Sequence, residues 1–142
     1  MRITVAGVVL VWLAALSLYD VRQRRLPNTL TLPGAGVIVL AALTGGQGGP
    51  ALAGAAALGG VYLLVHLAAP AAMGAGDVKL ATGLGALTGC FGVDVWFLAA
   101  LGAPLLTAVC GLVVKAATGA ATVPHGPSMC VASAGAVAVA MT

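Results

Sequence analysis

Charge is almost missing from this sequence. Only 6% of its 142 residues are charged, and its acids are three aspartates with no glutamate among them. Six Lys and Arg leave a net charge of +3, too little to build the basic stripe that nucleic-acid binding needs. Cysteine is sparse as well. Cys90, Cys110 and Cys130 fall far apart in or beside apolar stretches, with no C-x-x-C pair and no His at a zinc spacing. This gives no disulfide framework and makes a structural zinc site a poor reading; small buried hydrophobes in helices is the simpler one. No metal and no other cofactor is expected.

What fills the chain instead is apolar: 61% of residues are hydrophobic, and the mean hydropathy is +1.14. That composition reads as an integral membrane protein, all-α and polytopic, because a helix satisfies its own backbone where no water is present. Runs long enough to cross a bilayer as helices need about 17–25 apolar residues, with shorter ones admissible when buried in protein. Six spans result in one transmembrane domain over residues 1–142, at about 3–19, 29–43, 51–69, 78–90, 95–114 and 127–142. Arg2 before the first run resembles a secretory signal, but the run ends in "SLYDVRQRR" without a small-x-small cleavage site, so it reads as a retained span. Spans two and four are short and are expected to be buried among the others. Gly and Ala are so frequent that contact between helices must come from close backbone approach.

Lys and Arg in short loops set orientation. Arg22, Arg24 and Arg25 put the first loop in the cytoplasm. Alternation then places residues 70–77 and the loop from Lys115 to Gly126 inside, the N-terminus outside, and every Lys and Arg except Arg2 on the cytoplasmic side. Asp20 ends the first span and Asp77 precedes the fourth, so both arrive at one face, while Asp94, beside Trp96, reads as an interfacial turn on the other.

An acid at the membrane is costly and therefore a functional candidate. Taken singly, Asp20 suits an i to i+4 pair with Arg24, and Asp77 suits a helix N-cap. Together, with Gly74 and Gly76 allowing backbone freedom or close approach around Asp77, they suit an aspartic protease, in which two carboxylates share a proton. Helix dipoles favour Asp77 as the ionised base and Asp20 as the proton donor; the arginines near Asp20 push the other way. Lys79 reads first as a side chain snorkelling to headgroups and second as a support of the site. Pro27 and Asn28 shape the returning turn. His66 reads as a hydrogen-bonded packing residue, and His125 is a loop residue with no assigned role.

These residues carry a family likeness. Asp20 with Arg22 and Leu26-Pro27-Asn28 resembles the first-aspartate segment of the type IV prepilin peptidases, polytopic GxGD aspartic proteases of bacterial and archaeal membranes, with Leu in place of the usual Ile. Gly74-Ala75-Gly76-Asp77-Val78-Lys79-Leu80 is similar to the second-aspartate motif throughout. Pro124-His125-Gly126-Pro127 is similar to the Pro-Gly-Pro start of the last span, with His where an aromatic or aliphatic residue is usual. The resemblance implies a multi-pass enzyme of the bacterial cytoplasmic membrane with Asp20 and Asp77 as its catalytic residues. It would remove the basic leader of pilin-like precursors at the cytoplasmic face. Larger bacterial members carry a cytoplasmic domain with paired cysteines and methylate the product; this chain lacks the pairs and the room, so peptidase activity alone is expected. The rival reading is a small ion- or proton-coupled transporter, which predicts acids near the midplane and internal symmetry between halves. Both acids instead lie near one face, and no convincing repeat is visible.

Overall fold

A computed structural model describes residues 2–120 and 122–142. Among the described residues the chain forms six helices and no strand: α1 (Arg2–Gln23), α2 (Asn28–Thr44), α3 (Gly48–Ala68), α4 (Ala75–Gly89), α5 (Val93–Thr118) and α6 (Gly126–Ala140). The all-helical, polytopic reading holds. Within the described residues, windows in α1, α3 and α5 are long and apolar enough to cross a membrane unaided, and α2 and α6 are shorter apolar helices.

The helices are distinguished less by hydropathy than by how small their side chains are. Leucines and valines such as Leu40, Leu64, Leu101 and Leu112 point outward and stay exposed, as suits contact with lipid tails. The inner surface is made of glycine, alanine and a few larger residues, chiefly Leu16, Leu80, Leu84 and Met129, each nearly sealed from solvent. α4 is the centre of the bundle and packs against α2, α3, α5 and α6.

The tightest seam joins α3 to α4. A methyl group on Gly54 would collide with the Gly85 carbonyl oxygen and lie 3.1 Å from the Gly89 Cα; one on Gly89 would lie 2.6 Å from the Pro50 carbonyl oxygen. The two backbones therefore touch directly, which only glycine permits. Ala51, Ala55 and Ala86 continue the seam.

One expectation about the short helices needs correction. α4 is largely buried from Leu80 to Gly89, but α2 buries only Thr31 and Ala42. Length was a poor guide because burial follows side-chain size: α4 offers Gly, Ala and Thr to neighbours on several sides, whereas α2 keeps Leu32, Val37, Leu40 and Leu43 on an outer face. α2 is tied inward by Trp12, whose Nε1 donates to the Leu30 carbonyl at 2.9 Å. That carbonyl follows the one left without a partner by Pro33. The cysteines also differ in setting, since Cys130 is buried but Cys110 is exposed on α5.

Candidate active site

The helices alternate in direction, so the C-terminal ends of α1 and α3 meet the N-terminal ends of α2, α4 and α6. Cross-links at this end of the bundle hold the sequence motifs together. α1 continues one turn past Asp20 to Gln23, and Arg24 stops it in a left-handed conformation (φ 48°), with its N–H donating to the Asp20 carbonyl at 2.8 Å. A non-glycine residue there costs about 1 kcal/mol. The Arg24 guanidinium donates to Thr122 Oγ1 at 2.9 Å, joining the end of α1 to the segment before α6.

Asp20 is buried, at 7% exposure. Its Oδ2 accepts a hydrogen bond from the Gly126 backbone N–H at 2.9 Å, across 106 positions of sequence. Gly126 is the first residue of α6, where backbone donors have no partner inside the helix and the dipole favours a negative charge. A side chain at 126 has no room: a Cβ would stand 2.5 Å from Asp20 Oδ2.

Asp77 lies in the first turn of α4, half-buried. The N-cap is Gly74, not Asp77. The Asp77 N–H donates to the Gly74 carbonyl at 3.1 Å, and its carboxylate turns back toward the Gly74 N–H, as an acid at the third helical position does. The two glycines of the motif have different reasons. Gly76 approaches Leu26, whose Cβ would be 3.0 Å from an added methyl, so the Gly-x-Gly-Asp turn rests directly on the Leu-Pro-Asn segment. Gly74 has φ −74° and open space for a methyl down to 3.7 Å, so neither glycine is held in a conformation closed to other residues.

Pro27 and Asn28 begin α2. The Pro27 carbonyl accepts from the Leu30 and Thr31 N–H groups at 3.0 and 3.1 Å, and Asn28 Oδ1 accepts from Lys79 Nζ at 2.8 Å. Lys79 thus reaches sideways across the site end to α2, a contact in keeping with the second reading of this side chain as a support of the site. His66 Nδ1 donates to the Met73 carbonyl at 2.7 Å and pins the turn that leads into Gly74. Asp94 is exposed in the first turn of α5, away from these residues.

Asp20 and Asp77 come close enough for the charge of one to act on the other. Two further residues stand beside them. Tyr62 on α3 feels the charge of Asp77, and His125, just before α6, feels that of Asp20. Burial holds the His125 imidazole below its ordinary value, and the Asp20 carboxylate pulls it partly back. Nothing in the sequence marks out Tyr62 or the Gly126 N–H, and none of it gives His125 a role. The one usable signal was a histidine replacing an apolar residue before Gly-Pro. Among the described residues no group of three or more His, Cys, Asp or Glu side chains gathers to hold a metal.

Two carboxylates at one end of a helical bundle, if they act together, can activate a water and protonate a carbonyl. Comparison with known proteins bears on the same residues. Neither a curated protein nor a solved structure matches the chain. The type IV leader peptidase family matches residues 7–114, which include Asp20 and Asp77 and end before α6. With most of its length so matched, the chain belongs to the type IV leader peptidase family.

Proposed function

We propose that this protein is a membrane aspartic endopeptidase that cuts the basic leader from type IV pilin-like precursors, with Asp20 and Asp77 as the catalytic pair. The observation that carries the reading is their placement: α1 and α4 bring two acids from distant parts of the chain to one end of the bundle, Asp20 against the start of α6 and the Asp77 turn against Leu26. The arginines after α1, Lys79 and Lys115 belong to that same end, which supports a cytoplasmic orientation with the N-terminus outside. A site at the inner face of the bacterial cytoplasmic membrane suits a substrate whose leader precedes a hydrophobic helix. The three cysteines are isolated, so cleavage without methylation is expected.

The dipole of α4 alone favours Asp77 as the base. Asp20, however, also lies at a helix N-terminus, that of α6, and receives a main-chain N–H there. This supports the opposite assignment, which we adopt. Ionised Asp20 takes a proton from water as the water oxygen attacks the scissile carbonyl carbon, and protonated Asp77 gives its proton to the carbonyl oxygen. The tetrahedral intermediate then collapses: the C–N bond breaks, Asp20 returns its proton to the leaving nitrogen, and Asp77 recovers one from the hydroxyl. Because close carboxylates titrate as a pair, these roles describe one state of a shared proton.

The test is cleavage of a leader-bearing pilin precursor by membranes containing the protein, with Asp20→Ala and Asp77→Ala assayed separately. Each is expected to lower the rate by about 10⁴-fold. If both variants cleave at the parent rate, the mechanism is wrong. The placement of both acids at one end of the bundle, away from its middle, speaks against the transporter reading.

A further inference from the structure

The ring of His125 has a partner at each nitrogen, and the cleavage chemistry above does not use it. It stands at the N-cap of α6 and its ring bridges two other helices. Nε2 faces the Tyr62 hydroxyl on α3 at 2.9 Å, and Nδ1 faces the Thr107 hydroxyl on α5. A neighbouring contact decides which nitrogen carries the proton. Thr107 Oγ1 donates to the Ala103 carbonyl at 3.0 Å, which uses its single hydrogen. Thr107 therefore accepts from His125, Nδ1 holds the proton, and Nε2 of the neutral ring accepts from Tyr62.

Tyr62 is itself buried, at 6% exposure, and its ring stacks on the imidazole with centroids 5.7 Å apart and planes at 28°. The hydrogen bonds run in one direction from Tyr62 through His125 and Thr107 to Ala103. The next residue after His125 is Gly126, whose N–H is on Asp20 at 2.9 Å. The backbone that presents this donor is thus anchored by a side chain one residue away.

We propose that His125 is a positioning residue of the aspartate site, a neutral imidazole held at both nitrogens that fixes where the Gly126 N–H meets Asp20. This rests on Asp20 and Asp77 being the working pair. Protonation of the ring would turn Nε2 into a donor, force the Tyr62 hydroxyl to reverse, and break the directed chain. The groups that face this unit are Asp20 from α1, Tyr62 from α3, Asp77 from α4 and Cys130 from α6; the partner from α5, Thr107, does not titrate. Asp20 favours the protonated ring and burial opposes it.

The experiment measures kcat, KM and the pH dependence of kcat on a leader-bearing precursor for the parent, His125→Ala, His125→Asn and Tyr62→Phe, with Asp20→Asn and Asp77→Asn alongside. His125→Ala is expected to lose about 10-fold in kcat, the scale of one misaligned charge-assisted hydrogen bond, with KM within about twofold. His125→Asn, whose side-chain N–H can replace Nδ1–H toward Thr107, should recover most of the rate and move the acid limb to lower pH, since the titrating ring is gone. Tyr62→Phe removes the donor that favours the neutral ring and should move that limb to higher pH. If Asp20→Asn and Asp77→Asn are inactive while the His125 and Tyr62 variants keep the parent kcat and pH profile, this proposal alone is overturned. If the aspartate variants remain active, the reading of the pair falls and this proposal with it. Should His125→Ala fail to fold, the pH profiles of His125→Asn and Tyr62→Phe decide.

Discussion

Adding one methyl group at Gly126 should separate catalysis from folding. An alanine Cβ there would lie 2.5 Å from Asp20 Oδ2, 3.0 Å from Cγ and 3.3 Å from Cβ, where ordinary contact begins at 3.4 Å. The carboxylate must retreat by roughly 0.9 Å. Its bond to the Gly126 N–H, now 2.9 Å, would then stretch out of useful range or lose its alignment. A hydrogen bond to a charged group is worth about 1.5–3 kcal/mol, and misplacement of a reacting group by about 1 Å costs about 100-fold in rate. Gly126→Ala is therefore expected to lower kcat by about 100-fold in the precursor-cleavage assay. The fold should be far less affected, since the displaced atoms end a side chain that can rotate. Gly135→Ala is the control: it lies on the same helix, and its added methyl meets nothing within 4 Å. Thermal unfolding in detergent should leave Gly135→Ala at least as stable as the parent and Gly126→Ala mostly folded at the assay temperature. A Gly126→Ala variant that cleaves at the parent rate would refute the role given to this contact.

Three other outcomes are expected. Gly85→Ala drives a methyl into the Gly54 backbone, where no side chain can swing aside, and should destabilise the protein by at least about 1–3 kcal/mol in reversible unfolding. Lys79→Met breaks the link to Asn28 and should lower kcat by about 3- to 10-fold, matched by Asn28→Ala and not deepened in the double variant. Burial depresses the His125 pKa, so as pH falls the unfolded chain takes up this proton before the folded one does. The stabilisation is present above the ordinary value of 6.5 and is lost as pH falls below it toward the folded-state value. Melting temperature between pH 7.5 and about 5 should fall more steeply for the parent than for His125→Asn.

Much of the architecture was legible because lipid imposes a simple rule: apolar runs broken by Pro27, Pro70 or Gly-rich turns must be helices. The two acids were legible for a similar reason, since charge is rare enough here that each aspartate stands out. Alternation of six helices was sufficient to bring Asp20 and Asp77 to one end. What stayed hidden lies in contacts with no local pattern. The donor on Asp20 is a main-chain N–H from the far end of the chain, and nothing in the identity of residue 126 announces it except the lack of a side chain. The acceptor of Lys79 is hidden in the same way, because Asn28 comes from another helix. Gly74 and Gly76 looked alike in sequence, yet only Gly76 has a neighbour pressing against it.

The glycine seam between α3 and α4 has a mechanical consequence for the pair of acids. Asp77 rides on a helix held backbone to backbone against α3 at Gly85 and Gly89. Asp20 rides on α1, which leans chiefly on α6 and only lightly on α2. If the two acids work as proposed, α4 is the mount for Asp77, and the shared end of α1 and α6 is the mount for Asp20. A covalent staple between α3 and α4, or one locking α1 to α6, should leave turnover intact, whereas an insertion that pushes α1 off α6 should stall it.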